Sequence, residues 1–211
     1  MSKTLIIGAS GQIGKMTTQK LIAKEQEVVA LVRDKEKLSD ITSDNLDIIE
    51  GDLEQDFSHA FQGCDKVIFA AGSGGSTGTD KTVLIDLWGA CKAADYAKKA
   101  NVSQFVMTSS IGADDPAQGS YDMKPYLVAK HMADEHLINS GLNYTILRPG
   151  GLQDEEAKGG FQTAKPESRE KMVITREDVA DALVFSAGNT DLNNKIFELF
   201  NGELPLEQAL A

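Results

Sequence analysis

Residues 4–22 carry the pattern that most limits what this chain can become. A short apolar run from Thr4 to Ile7 stops at Gly8. The segment Gly8-Ala-Ser-Gly11-Gln-Ile-Gly14 follows, and Ile13, Met16, Thr17, Leu21 and Ile22 then recur at helical spacing. That is a strand, a glycine turn and a helix. In such a turn Gly8 permits the tight bend, Gly11 lets the backbone approach a pyrophosphate, and Gly14 lets the helix pack close to the sheet. The helix N-terminus offers free N–H donors and a partial positive charge to an anion. Ser10, Gln12 and Ile13 lie on the same turn and join the three glycines as candidate cofactor contacts.

The alternation continues along the chain. Further strands are expected at Val28–Val32, Leu46–Glu50, Lys66–Ala71, Gln104–Thr108, Tyr144–Leu147 and Lys195–Phe200. Between them lie a partial helix in Asp34–Asp44, a short helix carrying Phe57 and Phe61, and a long amphipathic helix over Asp80–Ala100. A second long helix runs from Pro125 to Ser140, with Gly141 as its cap. Thr175-Arg-Glu-Asp178 reads as a capping box opening a helix to about Ala187, and the tail from Pro205 as a helical turn. Strands alternating with helices predict an α/β fold, a single doubly wound Rossmann domain with a parallel sheet of about seven strands and helices on both faces. One domain over 1–211 is expected, with a small substrate-side region at about 150–211. The stretches 72–79 and 153–171 read as loops.

Charge narrows the partners. The 211 residues hold 21 Lys and Arg against 32 Asp and Glu, a formal net charge of −11. A phosphate-backbone binder shows a basic balance or patch, so nucleic acid and anionic membrane surfaces are not expected partners. No apolar run approaches the ~18 residues of a membrane span, and the first residues do not read as a signal peptide. Cys64 and Cys91 lack the spacing of a zinc or redox motif and read as buried thiols in a cytoplasmic protein. His59, His131 and His136 do not cluster with carboxylates at metal spacing, so no metal is expected. Trp88 reads as core or interface, and the protein as a monomer or homodimer acting on a small molecule.

Ligands of open α/β sheets lie outside the carboxyl ends of the strands. Arg33 is the first residue out of the second strand, with Asp34 beside it. An Arg there accepts a 2′-phosphate and an acid holds a ribose hydroxyl, so Arg33 favours NADP(H) and Asp34 would favour NAD(H). After strand three, Asp52 could accept from an adenine amino group or simply shape a turn, with Leu53 next to it. Ala70, Ala71 and Gly72 leave room for a cofactor after strand four. After strand five, Thr108-Ser109-Ser110 precedes a helix carrying Tyr126 and Lys130 four residues apart, on one face. An ammonium stabilises a neighbouring phenolate, and a Ser hydroxyl can hold a substrate oxygen while Tyr passes it a proton. Alternation sends Ser109 and Ser110 to opposite faces, and Ser109 is favoured as the oxygen holder.

These segments together resemble one family. GASGQIG at 8–14, VRD at 32–34, GDL at 51–53, AAG at 70–72, TSS at 108–110, YLVAK at 126–130, RPGGL at 148–152 and TREDVA at 175–180 resemble the atypical, extended-like branch of the short-chain dehydrogenase/reductases, the NAD(P)-dependent epimerase/dehydratase-like proteins. The resemblance covers almost the whole chain. It implies that Lys130 bridges the nicotinamide ribose and Tyr126, and that Pro149, Gly150 and Gly151 line the nicotinamide end. The family tetrad is Asn, Ser, Tyr and Lys; here Asp86 stands where the resemblance places the Asn, where it could anchor Lys130. The implied function is an NADPH-dependent oxidoreductase or epimerase-like enzyme for a small carbonyl or hydroxyl compound, with Tyr126 as acid/base. The alternative is an NADPH-binding redox sensor or scaffold with little turnover, and a silent Rossmann interaction module is a third reading.

Overall fold

The computed structural model describes residues 2–75 and 77–211. Its strands are β1 Lys3–Ile7, β2 Glu27–Val32, β3 Leu46–Glu50, β4 Lys66–Phe69, β5 Gln104–Thr108, β6 Tyr144–Pro149, β7 Gly151–Gln153, β8 Phe161–Gln162, β9 Val173–Thr175 and β10 Lys195–Asn201. The main sheet has eight strands in the order β3-β2-β1-β4-β5-β6-β10-β8. All neighbours pair in parallel except β8, which runs antiparallel to β10 at the edge. The chain leaves β1 towards β2 on one side and resumes with β4 on the other, so the strand order reverses at β1/β4. That reversal opens a crevice at the carboxyl ends, where such sheets bind ligands.

Both faces of the sheet are buried, which is why the strands read as near-continuous apolar runs. Leu5, Ile7, Leu31, Phe69, Phe105 and Met107 point to one side, and Ile6, Ala30, Val32, Ile68, Val106 and Leu147 to the other. Each fully buried Leu, Ile or Phe contributes roughly 1.5–3 kcal/mol. The first face is covered by two long helices. One, α2, joins Thr79–Lys81, a π-helical stretch Thr82–Gly89 and Ala90–Lys99; the other, α3, is Lys124–Ile138. Numbered from the N-terminus, α1 is Gln12–Ala23 and α4 is Arg176–Ser186, and these two cover the second face.

Several expectations change in detail. β4 ends at Phe69 rather than Ala71, although the Ala70 N–H still donates to the Ile7 carbonyl at 2.9 Å, and the Gly8 turn packs closely against Ala71. The 34–44 stretch holds only a 3-10 turn, Lys35–Leu38, and another, Ser58–Phe61, starts after Phe57 and ends on Phe61. The stretch 153–171 is not featureless: it contains β8 and separates β7 from β9, which pair as a two-stranded parallel sheet. Strands of two and three residues are too short to show a period. Trp88 is 53% exposed and lies outside the core. The Thr175 hydroxyl does accept from the Asp178 N–H at 3.0 Å, but the buried Asp178 carboxylate, instead of reaching the Thr175 N–H, accepts from the Lys158 and Gly159 N–H groups, both at 3.0 Å. Asp178 thereby pins the 153–171 segment to the start of α4. No helix among the described residues is long and apolar enough to cross a membrane.

Candidate functional site

The three glycines of the first turn do different work. Gly8 adopts φ +88°, and a Cβ there would stand 2.6 Å from Ala71 Cα. A Cβ on Gly14 would stand 2.2 Å from the Gly8 carbonyl oxygen, so this glycine lets α1 dock on the turn. Both are demanded by the fold. Gly11 is different: a Cβ there would meet only the Gly8 oxygen, at 3.4 Å. It occupies the N-cap of α1 with no side-chain cap for the helix's first N–H groups. Those donors and the space over Gly11 suit an anion brought close to the backbone.

A cleft of about 320 Å³ opens from this turn, at the β1/β4 reversal. Gly8, Ser10 and Gly11 form one wall, Leu53 and Gly51 another, and Ala70, Ala71 and Gly72 a third. Its charged lining residues are Arg33, Lys37 and Lys81, all cations, in a protein of net charge −11. Lys81 is paired with Glu54. Arg33 and Lys37 form no ion pair among the described residues, although both are exposed. Asp34 is committed elsewhere: its carboxylate accepts from the Glu36 N–H at 3.0 Å and caps the 3-10 turn. That turn carries Lys37 to the cleft, where the strand pattern places only Arg33 of this run.

Other expected contacts divide. Asp52 lies outside the lining and accepts from the Glu54 N–H at 2.9 Å, the turn role. Ile13 packs against the core, and Gln12 donates to Asp154 at 3.0 Å. Pro149 and Gly150 are buried and do not line the cleft. A Cβ on Gly150 would meet the Met172 carbonyl oxygen at 2.5 Å, so this glycine serves packing where β6 ends.

At the carboxyl end of β5, outside the residues that line the cleft, Lys130 is only 2% exposed and donates from Nζ to the Thr108 carbonyl at 2.7 Å. Tyr126, half-buried, sits one turn earlier on α3. Ser109 is not the free hydroxyl expected. It is buried and donates to Asp134 Oδ2 at 2.9 Å. Alternation leaves Ser110 on the opposite face, half-buried, donating to the Ile111 carbonyl at 3.2 Å. Asp86 does not pair with Lys130. It is buried on the π-helical stretch, and its Oδ2 accepts from the Ser73 N–H at 3.0 Å, closing the loop after β4.

The carboxylate that neighbours Lys130 is Asp134, four residues on along the same face, which no motif had flagged. Arg148 of β6 donates to its Oδ2 from Nε and lies 3.0 Å from it through Nη2. Burial holds the Asp134 carboxyl above its ordinary value, against the Ser109 hydroxyl and the charges of Lys130 and Arg148, which only partly offset it. Burial also pushes Cys64 and Cys91 up to about 11, so neither is a thiolate near neutral pH.

The comparisons agree with this geometry. The sequence pattern of a family described as NAD(P)H-binding matches residues 8–190. A Bacillus subtilis (strain 168) protein, "Uncharacterized sugar epimerase YhfK", is 40% identical over 216 residues, covering 99% of this chain and 98% of its own. A solved Bacillus halodurans structure, described as a candidate NAD-dependent epimerase/dehydratase, is 40% identical with a TM-score of 0.92, covering 100% of this chain and 99% of that one. The oxidoreductase ylbE from Lactococcus lactis is 29% identical with a TM-score of 0.85, covering 99% and 94%.

Proposed function

Because the chain belongs to the NAD(P)H-binding Rossmann family, we propose that it is an NADPH-dependent oxidoreductase or epimerase-like enzyme acting on a small carbonyl or hydroxyl compound. The observation that carries this reading is the cleft at the strand-order reversal, whose charged lining residues are all cations. The residues fit the cofactor. Gly11 leaves the first turn of α1 without a side-chain cap where a pyrophosphate would sit, and Arg33 and Lys37 line the cleft without an ion-pair partner among the described residues. Arg33 and Lys37 would hold a 2′-phosphate, each through charge-assisted bonds of roughly 1.5–3 kcal/mol.

The bound nicotinamide would supply or accept a hydride. The chain's own part is proton handling and orientation. Tyr126 would hold and pass the proton at the substrate oxygen. Lys130, fixed by the Thr108 carbonyl, would place a cation beside the phenol and hold the ribose. With Ser109 engaged by Asp134, Ser110 takes over as the oxygen holder. The buried thiols fit a reducing compartment, and we place the protein in the cytoplasm.

One observation favours the second reading, a cofactor-binding sensor or scaffold. None of the four positions matched to the family tetrad is among the residues lining the cleft, and two of them, Asp86 and Ser109, are engaged by Ser73 and Asp134. Calorimetry with NADPH and NADH, followed by NADPH oxidation against quinones, aldehydes and sugar ketones, separates the two. Tight NADPH binding with turnover supports the enzyme. The same binding with no turnover on any acceptor supports the sensor.

A further inference from the structure

We propose that Asp134 is the positioning residue of the Tyr126–Lys130 pair: its carboxylate ties the ends of β5 and β6 to α3 and so fixes where the Lys130 ammonium sits. As a statement about catalysis this rests on the function proposed above; as a statement about Lys130 it does not.

Tyr126, Lys130 and Asp134 follow one another at intervals of four on α3, so they form one stripe. Lys130 is buried, and a buried ammonium is costly unless its surroundings hold it. Its hydrogen-bond acceptor is the Thr108 carbonyl, so the position of its charge depends on where the end of β5 lies. Ser109, the next residue, is tied twice: its N–H donates to the Leu147 carbonyl at 2.7 Å and its hydroxyl to Asp134 Oδ2 at 2.9 Å. Arg148, which follows Leu147, donates to the same oxygen at 3.0 Å. One carboxylate oxygen therefore gathers β5, β6 and α3 directly behind the Lys130 contact.

The other oxygen strengthens the argument. Asp134 Oδ1 and Thr108 Oγ1 are both buried without a hydrogen-bond partner. Two donors hold one oxygen of Asp134, and the carboxylate's charge acts on the ammonium one turn away without direct contact. The cluster holds two cations, Lys130 and Arg148, against one carboxylate. Removing that carboxylate would leave buried Lys130 and half-buried Arg148 without the anion between their elements and free the end of β5. Asp86, the position the family resemblance singles out, is bonded to Ser73 and cannot substitute.

The test reads Lys130 itself, by nuclear magnetic resonance of protein carrying ¹⁵N-labelled lysine. The side-chain ammonium signal is assigned by its disappearance in Lys130→Met. In wild type a buried, hydrogen-bonded ammonium should give a slowly exchanging signal. In Asp134→Asn that signal should broaden or shift, and in Asp134→Glu it should partly return. Ser109→Ala is the milder variant, close in size and safe for folding; it cuts the link to Thr108 and should shift the signal as well. In turnover, Ser109→Ala should lower kcat by up to about a hundredfold, the scale of an ångström misplacement, while NADPH affinity stays within a few-fold. A Lys130 signal unchanged in Ser109→Ala and in folded Asp134→Asn would overturn the proposal. The signal needs neither cofactor nor substrate. If it responds while wild type binds no NADPH, the functional reading fails and the positioning role stands.

Discussion

Lys130 Nζ donates to the Thr108 carbonyl at 2.7 Å, which joins the middle of α3 to the carboxyl end of β5. The contact converts a helix position into a fixed cation, and it makes the first prediction. Lys130→Met keeps the length of the side chain and removes the charge. It should lower both NADPH affinity and turnover, because the ammonium is assigned to the ribose and to Tyr126 together. Calorimetry and an NADPH-oxidation assay check the two losses separately. Loss of turnover alone, with affinity untouched, would remove Lys130 from the cofactor.

The glycine turn separates folding from binding. Gly14→Ala puts a Cβ against the Gly8 carbonyl oxygen, 2.2 Å away, and should destabilise the protein by about 1–3 kcal/mol. Gly11→Val has room, with its nearest contact at 3.4 Å, and should fold normally. It should nonetheless lose dinucleotide binding, because its side chain fills the approach to the first turn of α1. Thermal melts and calorimetry on both variants read the contrast. Unchanged affinity in folded Gly11→Val would place the nucleotide elsewhere.

Cofactor choice should follow the two unpaired cations. NADPH should bind more tightly than NADH by about ten- to a hundredfold, the worth of one charge-assisted contact. Arg33→Ala should erase most of that preference and Lys37→Ala part of it, and the preference should shrink with added salt. A wild-type preference for NADH would make Asp34 the ribose reader.

Asp178 gives a pH dependence. Burial would raise this carboxyl, but the N–H groups of Lys158 and Gly159 and the side chains of Asn201 and Thr175 outweigh it and hold the group below its ordinary value. A depressed acid stabilises the fold above its unfolded value, near ~3.9, and that contribution disappears as pH falls through the folded value. Asp178→Asn should therefore cost about 2–3 kcal/mol near neutral pH, and its gap to wild type should begin to narrow as pH falls below about 4. Melting curves from pH 7 to pH 3 decide it. A constant gap across that range would mean the carboxylate's charge contributes nothing.

Much of the fold was legible because its signals are local. The Gly8, Gly11 and Gly14 turn sits between a strand and a helix within twenty residues, and buried parallel strands announce themselves as apolar runs. Arg33 was legible because a strand end is a place, whatever the rest of the chain does. Lys37 was not: inside the run from Arg33 to Lys37 it looks like any solvated lysine, and only the short 3-10 turn capped by Asp34 carries it to the cleft. Alternation separated Ser109 from Ser110 correctly but could not say which side held a buried carboxylate. That carboxylate, Asp134, shares its helix face with Tyr126 and Lys130, and the stripe of three was the available signal. Asp86 was located correctly on α2, but its turn towards Ser73 depends on a loop conformation that residue spacing does not encode.

The most direct test of the proposed chemistry is NADPH oxidation by Tyr126→Phe beside wild type, on whichever acceptor wild type reduces best. The phenyl ring keeps the packing of α3 and removes only the hydroxyl. General acid catalysis is worth ~10²–10⁴-fold, so turnover should fall by at least the lower figure while NADPH affinity stays within a few-fold of wild type. Turnover that survives intact in Tyr126→Phe would contradict the assignment of the proton to Tyr126.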